Sequence, residues 1–179
     1  MALSITAAAQ SAETAPDWQL ESVDGDVVRL SEEVAKQPVV LFFWATWCPY
    51  CKALMPHLQS IRLEHGEAVK IVAINFREKG DPVKYIAERG YDFTVLPNGE
   101  EVASLYDVWA TPGVIVVNRD MQVEFDLRAV PPYKPEQTDD IKRHSTRAAH
   151  LAPYWAAELQ KTIDRIADPP DNSAHDGID

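Results

Sequence analysis

Six consecutive apolar residues, Val39–Trp44, run directly into Ala45-Thr46-Trp47-Cys48-Pro49-Tyr50-Cys51, and this junction constrains the chain more than any other feature. β-Branched and aromatic residues without polar alternation fit a strand covered on both faces, as in a parallel or mixed sheet. Downstream, Cys51, Leu54, Met55, Leu58 and Ile61 recur at helical spacing and form one apolar stripe, which predicts a helix over Pro49–His65. Pro49 suits the first turn, where its missing N–H has no intrahelical partner, and Pro56 is expected to bend the helix further on. A buried strand therefore delivers a Cys-x-x-Cys pair to the start of a helix.

These are the only two cysteines among 179 residues. A disulfide staple gains most when it closes a long loop, and a pair this close together closes almost none. The pair is therefore redox-active or metal-binding. A zinc site needs about four ligands, and beyond the pair the chain offers five scattered histidines and no further cysteine. No metal is expected. At a helix N-terminus, unpaired backbone N–H groups and the positive end of the dipole favour a thiolate, the attacking form of cysteine. Cys48 is thus expected to be the nucleophile. Cys51, one turn further on and on the apolar stripe, is expected to be buried, protonated and the resolving thiol.

The rest of the chain reads as one α/β domain, residues 17–167, between a flexible leader (1–16) and an acidic, disordered tail (168–179). Trp18–Leu20 and Val27–Leu30 flank Asp24-Gly25 and predict a hairpin; Ser31 is the expected N-cap of a short helix over Glu32–Lys36. A buried strand at Val69–Asn75 follows, then a helix opened by Asp81-Pro82 and ended near Gly90. A short strand at Phe93–Leu96, a turn at Asn98-Gly99 and a helix through Val102–Tyr106 come next. Val114–Val117 and Gln122–Leu127 predict an antiparallel hairpin, and Trp155, Leu159, Ile163 and Ile166 the inner face of a last helix. Residues 129–147 between them lack an apolar period and are expected to be a mobile surface connection.

The formal charge of −11 argues against nucleic acid, which needs Lys and Arg to neutralise phosphates. No run reaches the 18 or so apolar residues that cross a bilayer. The first 28 residues contain no Lys or Arg, and Leu3–Ala9 is mildly apolar, so this stretch reads as the tail of a signal or membrane anchor, or as a plain flexible end.

The strand ending Phe42-Phe43-Trp44, the Trp47-Cys48-Pro49-Tyr50-Cys51-Lys52 motif, Met55-Pro56 in the helix and a second motif, Val108-Trp109-Ala110-Thr111-Pro112 before a strand, together resemble the TlpA/ResA branch of the thioredoxin superfamily. The resemblance covers roughly residues 17–128, and the 64-residue separation of Cys48 and Pro112 suits that branch. It implies a thioredoxin fold, a mixed β-sheet flanked by helices. It also implies that Pro112 is cis and packs beside the cysteine pair, and that Thr111 lines the substrate groove together with Trp47, Pro49 and Tyr50. Plain thioredoxin carries a buried acid where this chain has Phe42; the ResA-like pattern nominates Glu78 instead, as the group that moves protons to or from Cys51. Trp44, Met55, His57 and Trp155 read as structural.

What the resemblance implies for function is a cofactor-free thiol–disulfide oxidoreductase, most simply a reductant of protein disulfides. Its partners would be disulfide-containing clients, such as apocytochrome c or copper-site proteins, and an upstream thiol donor. It would act as a monomer in the periplasm or an equivalent compartment, held to a membrane only through an N-terminal anchor. Two other readings stay open at this level. Cys-Pro-Tyr-Cys is also a glutaredoxin sequence, and two thiolates suit Cu(I), although no His or Met beside Thr111-Pro112 supplies a third ligand.

Overall fold

The computed structural model describes residues 13–133 and 143–167. A hairpin of β1 (Gln19–Glu21) and β2 (Val27–Arg29) leads into α1 (Leu30–Val34) and β3 (Val39–Trp44). Then come α2 (Pro49–His65), β4 (Lys70–Asn75), α3 (Pro82–Ala87), β5 (Thr94–Leu96) and α4 (Glu100–Leu105). β6 (Gly113–Val117), β7 (Val123–Asp126) and α5 (His144–Ala167) complete the described chain.

Five strands form one sheet in the order β5-β4-β3-β6-β7. β3 pairs in parallel with β4 and antiparallel with β6, so the strand that carries the cysteines lies at the centre and is buried throughout. Its two-residue period sorts the side chains into two cores. Val40, Phe42 and Trp44 face α2 and α5, while Val39, Leu41 and Phe43 face the hairpin, α1 and α4. Continuous apolarity along β3 is thus the mark of a strand with a full core on each side.

α2 runs through Pro56 as a single helix and buries Cys51, Leu54, Met55, Leu58 and Ile61, the stripe read from the sequence. α3 starts as expected, with the Asp81 carboxylate accepting from the Lys84 N–H at 2.9 Å and Pro82 in the first turn.

Several expectations are corrected. Ser31 is not an N-cap: α1 begins at Leu30, and the Ser31 hydroxyl and N–H both donate to the Asp17 carboxylate, at 2.9 and 3.0 Å. Residues 13–16, expected in the leader, belong to the folded part, because Thr14 bridges Gln122, Ala15 is buried and the Pro16 carbonyl accepts from the Tyr106 hydroxyl. α4 starts two residues early, since Gly99 leaves the left-handed Asn98 straight into the helix. The connection is shorter than expected, because residues 144–147 are the first turn of α5 and Leu127–Ala129 is a 3-10 turn. On α5 the buried stripe is Ala148, Ala152, Ala156, Leu159, Ile163 and Ala167, with Trp155 and Ile166 at its edges. Small side chains let α5 lie close on α2, an approach latched by His65 and Asp164 at 3.2 Å. The leader before residue 13, residues 134–142 of the connection and the tail from 168 lie outside the described residues.

Candidate active site

β3 ends at Trp44, and the chain turns through Ala45-Thr46-Trp47 to place Cys48 as the N-cap of α2. Its sulfur accepts the Cys51 N–H at 3.1 Å, satisfying one of the donors that a helix start leaves open. Both cysteines are reduced. The Cys51 thiol donates to the Cys48 sulfur, and the Thr111 hydroxyl and the N–H groups of Cys51 and Tyr50 add to it. Against the cost of burial they bring the Cys48 pKa down to about 6. Burial pushes the Cys51 thiol far up, and the adjacent Cys48 sulfur raises it further. One thiol is therefore an anion at neutral pH and its partner stays protonated.

Cys51 is buried as expected, and Cys48 is buried with it: they are 0% and 1% exposed. What separates them is the hydrogen bonding gathered on Cys48 at the helix cap and the heavier desolvation of the Cys51 thiol.

Thr111-Pro112 forms a cis peptide at the start of β6 and lies across from Cys48. Gly113 follows it for want of space: a Cβ there would fall 2.7 Å from Val108 Cγ1 and 3.2 Å from Phe43 Cβ. Tyr50 and Pro49 form the half-buried dipeptide between the cysteines. The Tyr50 hydroxyl lies 3.2 Å from His144 Nδ1, and its ring packs on Trp155 with centroids 6.1 Å apart. Trp155, read as structural, is a wall of the site as well.

Trp47 is 49% exposed and Trp109 is 59% exposed, and Arg77 joins them. The Arg77 carbonyl accepts the Trp47 indole N–H at 2.8 Å, while its guanidinium donates to the Trp109 carbonyl at 2.8 Å. Its own N–H is held by the Glu100 carboxylate at 2.9 Å, and its backbone takes a left-handed φ of 52°. Trp44, in contrast, is fully buried, 5.7 Å from the Tyr85 ring, and its indole N–H has no partner among the described residues.

Glu78 does not sit as a free proton carrier. Burial alone would raise its pKa, but it accepts from the Thr46 hydroxyl at 2.5 Å, the Thr46 N–H at 2.9 Å and the Asn75 amide at 2.7 Å. The N–H groups of Lys79 and Gly80 donate as well, and the pKa falls to about 2. An anion that accepts five hydrogen bonds is a clamp on the turn before Cys48. All five of these bonds tie Glu78 to Thr46, Asn75 and its own loop, and none reaches Cys51. His144, Arg77 and Trp109 were missed in the sequence, although Trp109 and Arg77 each lie within two residues of a residue singled out there.

Among the described residues no cluster of three or more His, Cys, Asp or Glu is arranged to hold a metal ion. Two free thiols side by side at a helix start can exchange dithiol for disulfide.

A cis-proline loop beside a helix-capping Cys-x-x-Cys pair, on a central strand of this sheet order, defines a dithiol protein of the thioredoxin fold. The chain belongs to the AhpC/TSA family, whose profile matches residues 12–125. Within it the chain is similar to thiol-disulfide oxidoreductase ResA of Geobacillus kaustophilus, at 31% identity over 73% of this chain and 74% of that protein. A putative thiol:disulfide interchange protein DsbE from Chlorobium tepidum superposes with TM-score 0.59 at 26% identity, covering 77% of this chain and 96% of that one. A secreted Mycobacterium tuberculosis disulfide oxidoreductase, described as homologous to E. coli DsbE, gives TM-score 0.53 at 25% identity, covering 75% and 96%. Other curated relatives that it matches are spanned over slightly under two thirds of their length. These likenesses agree with the TlpA/ResA resemblance read from the two motifs.

Proposed function

We propose that the protein is a thiol–disulfide oxidoreductase that reduces disulfides in protein clients. The observation that carries this is the pair of opposed thiols beside the cis proline: a Cys48 anion stabilised at the helix cap and a Cys51 thiol held protonated beneath it. The Cys48 thiolate attacks one sulfur of the client disulfide. The client S–S bond breaks, a Cys48–client mixed disulfide forms, and the other client sulfur leaves as a thiolate. That thiolate takes up the Cys51 proton, and the Cys51 sulfur attacks Cys48. A Cys48–Cys51 disulfide forms, and the client departs with two electrons gained, as one thiol and one thiolate that takes its proton from solvent. An upstream thiol donor returns the pair to its reduced form. No cofactor takes part.

Similarity to proteins named for disulfide exchange supports this reading. Similarity to a secreted oxidoreductase supports a site of action outside the cytoplasm. Among the described residues no helix is long and apolar enough to cross a membrane. We assign Trp47, Pro49, Tyr50, Thr111 and Pro112 to client contact, and Glu78 to holding the Thr46 turn. Acidic charge leaves nucleic acid without a role, and the protein acts as a monomer.

Trapping tests the reading. Cys51→Ser keeps the attacking thiolate and removes the thiol that releases the client, so covalent complexes should accumulate with oxidised clients and dissolve in reductant. Cys48→Ser should trap little. Equal trapping by both variants, or trapping only through Cys51, would overturn the assignment. A reduction potential near about −270 mV fits a reductant, and one near about −120 mV an oxidant.

A further inference from the structure

A groove of about 370 Å³ opens beside the cysteine pair, with Thr111 and Pro112 on one wall and Tyr50 at its near end. Leu127, Leu151 and Trp155 supply its apolar surface, and no carboxylate lines it among the described residues. Tyr50, at its near end, lies between the two cysteines in the chain, so the groove leads to the nucleophile.

Two guanidiniums border the groove, and they are not equivalent. Arg128 is spent inside the protein: Asp126 takes its Nε at 2.9 Å, and the Asp107 carbonyl accepts from it at 2.9 Å. Arg147 is exposed and makes no ion pair among the described residues. Its position is unfavourable for the helix that carries it. α5 begins at His144, and cations in a first turn oppose the positive end of the helix dipole. Arg143 and Arg147 stand at that end with no acid in the first turn, in a chain of net charge −11. Among the described residues, helix stability does not account for Arg147, which lines the groove.

We propose that this groove takes the stretch of a protein client next to its attacked cysteine, an apolar side chain resting on Trp155 and Leu151 and an acidic side chain meeting Arg147. The inference rests on the disulfide-exchange reading above and adds a preference among clients. Charge complementarity commits it to an acidic segment: the protein's overall negative charge repels such a segment elsewhere, and this mouth reverses the sign locally.

The test uses the reduced full chain and peptide disulfides that differ only in Glu, Gln or Lys beside the cysteine, with glutathione disulfide as a further substrate. An exposed ion pair predicts a kcat/KM for the Glu peptide about two- to fivefold above that for the Gln peptide, and higher again over Lys. Arg147→Gln should bring the Glu-to-Gln ratio to about one, Arg147→Glu should invert it, and Arg147→Lys should keep most of it. About 0.5 M salt should erase the ratio in the unmodified protein, a readout that needs no variant to fold. Equal rates for the three peptides, a ratio untouched by Arg147→Glu, or glutathione disulfide reduced faster than every peptide would each overturn the proposal. Failure to reduce any of these disulfides would instead remove the exchange reading beneath it.

Discussion

The backbone N–H of Cys51 points at the sulfur of Cys48 across 3.1 Å, so the resolving residue helps to ionise the attacking one. The side-chain hydrogen bond from the Cys51 thiol is the larger part of the same relationship. The two sulfurs are one device.

Alkylation of the reduced protein should therefore show Cys48 reacting with a midpoint near pH 6, below the free-thiol value of about 8.5. Cys51→Ala should move that midpoint upward, because it removes the strongest donor while leaving the backbone N–H. Folding lowers this pKa, so the reduced protein gains stability that is complete above the free-thiol value and lost as pH falls through about 6. Urea unfolding at several pH values reads the slope, and Cys48→Ala should remove it. A Cys48 midpoint at or above 8.5 would contradict the structure.

Glu78→Gln should cost about 1–3 kcal/mol of stability, since it weakens charge-assisted bonds to Thr46 and Asn75. The lowered Glu78 pKa contributes stability above its unfolded value and loses it as pH falls toward about 2. From pH 5 upward the variant should keep the Cys48 midpoint of the unmodified protein. A shifted midpoint with unchanged stability would restore Glu78 as a proton carrier.

Arg77→Ala should release Trp109, whose carbonyl accepts from the guanidinium, while the backbone carbonyl at position 77 can still accept from the Trp47 indole. At about 1 kcal/mol per hydrogen bond, KM for a protein disulfide should rise roughly fivefold, while the Cys48 alkylation midpoint stays in place. A change in tryptophan emission should accompany it. Unaltered KM and emission would leave Arg77 as a surface residue without a part in the rim.

Gly113→Ala should destabilise the protein by about 1–3 kcal/mol, because its Cβ would meet Val108 and Phe43 with no room to yield. The strain falls on the residue that follows Pro112, so disulfide reduction should fall further than the loss of folded protein explains. Thermal unfolding and turnover per folded molecule separate the two effects.

Much of this site was legible along the chain because its determinants are local. A continuous apolar strand, a proline in the first turn and an apolar stripe at helical spacing placed Cys48 at the helix start and Cys51 on its buried face, and Thr111-Pro112 stood out beside them by resemblance. These patterns depend on neighbours a few residues apart, and periodicity records such neighbours.

What lay outside that reading depends on contacts distant in sequence. Glu78 reads as a loop carboxylate until Thr46, 32 residues away, donates to it twice. The burial of Cys48 was hidden for the same reason, since Thr111 comes to it from the cis-proline loop before β6. His144 joins Tyr50 from 94 residues away, turning an apparent connection into a wall of the site. Local sequence determined where the thiols stand and which is acidic. Tertiary packing decided what surrounds them, because desolvation and hydrogen-bond geometry are properties of side chains brought together from separate elements.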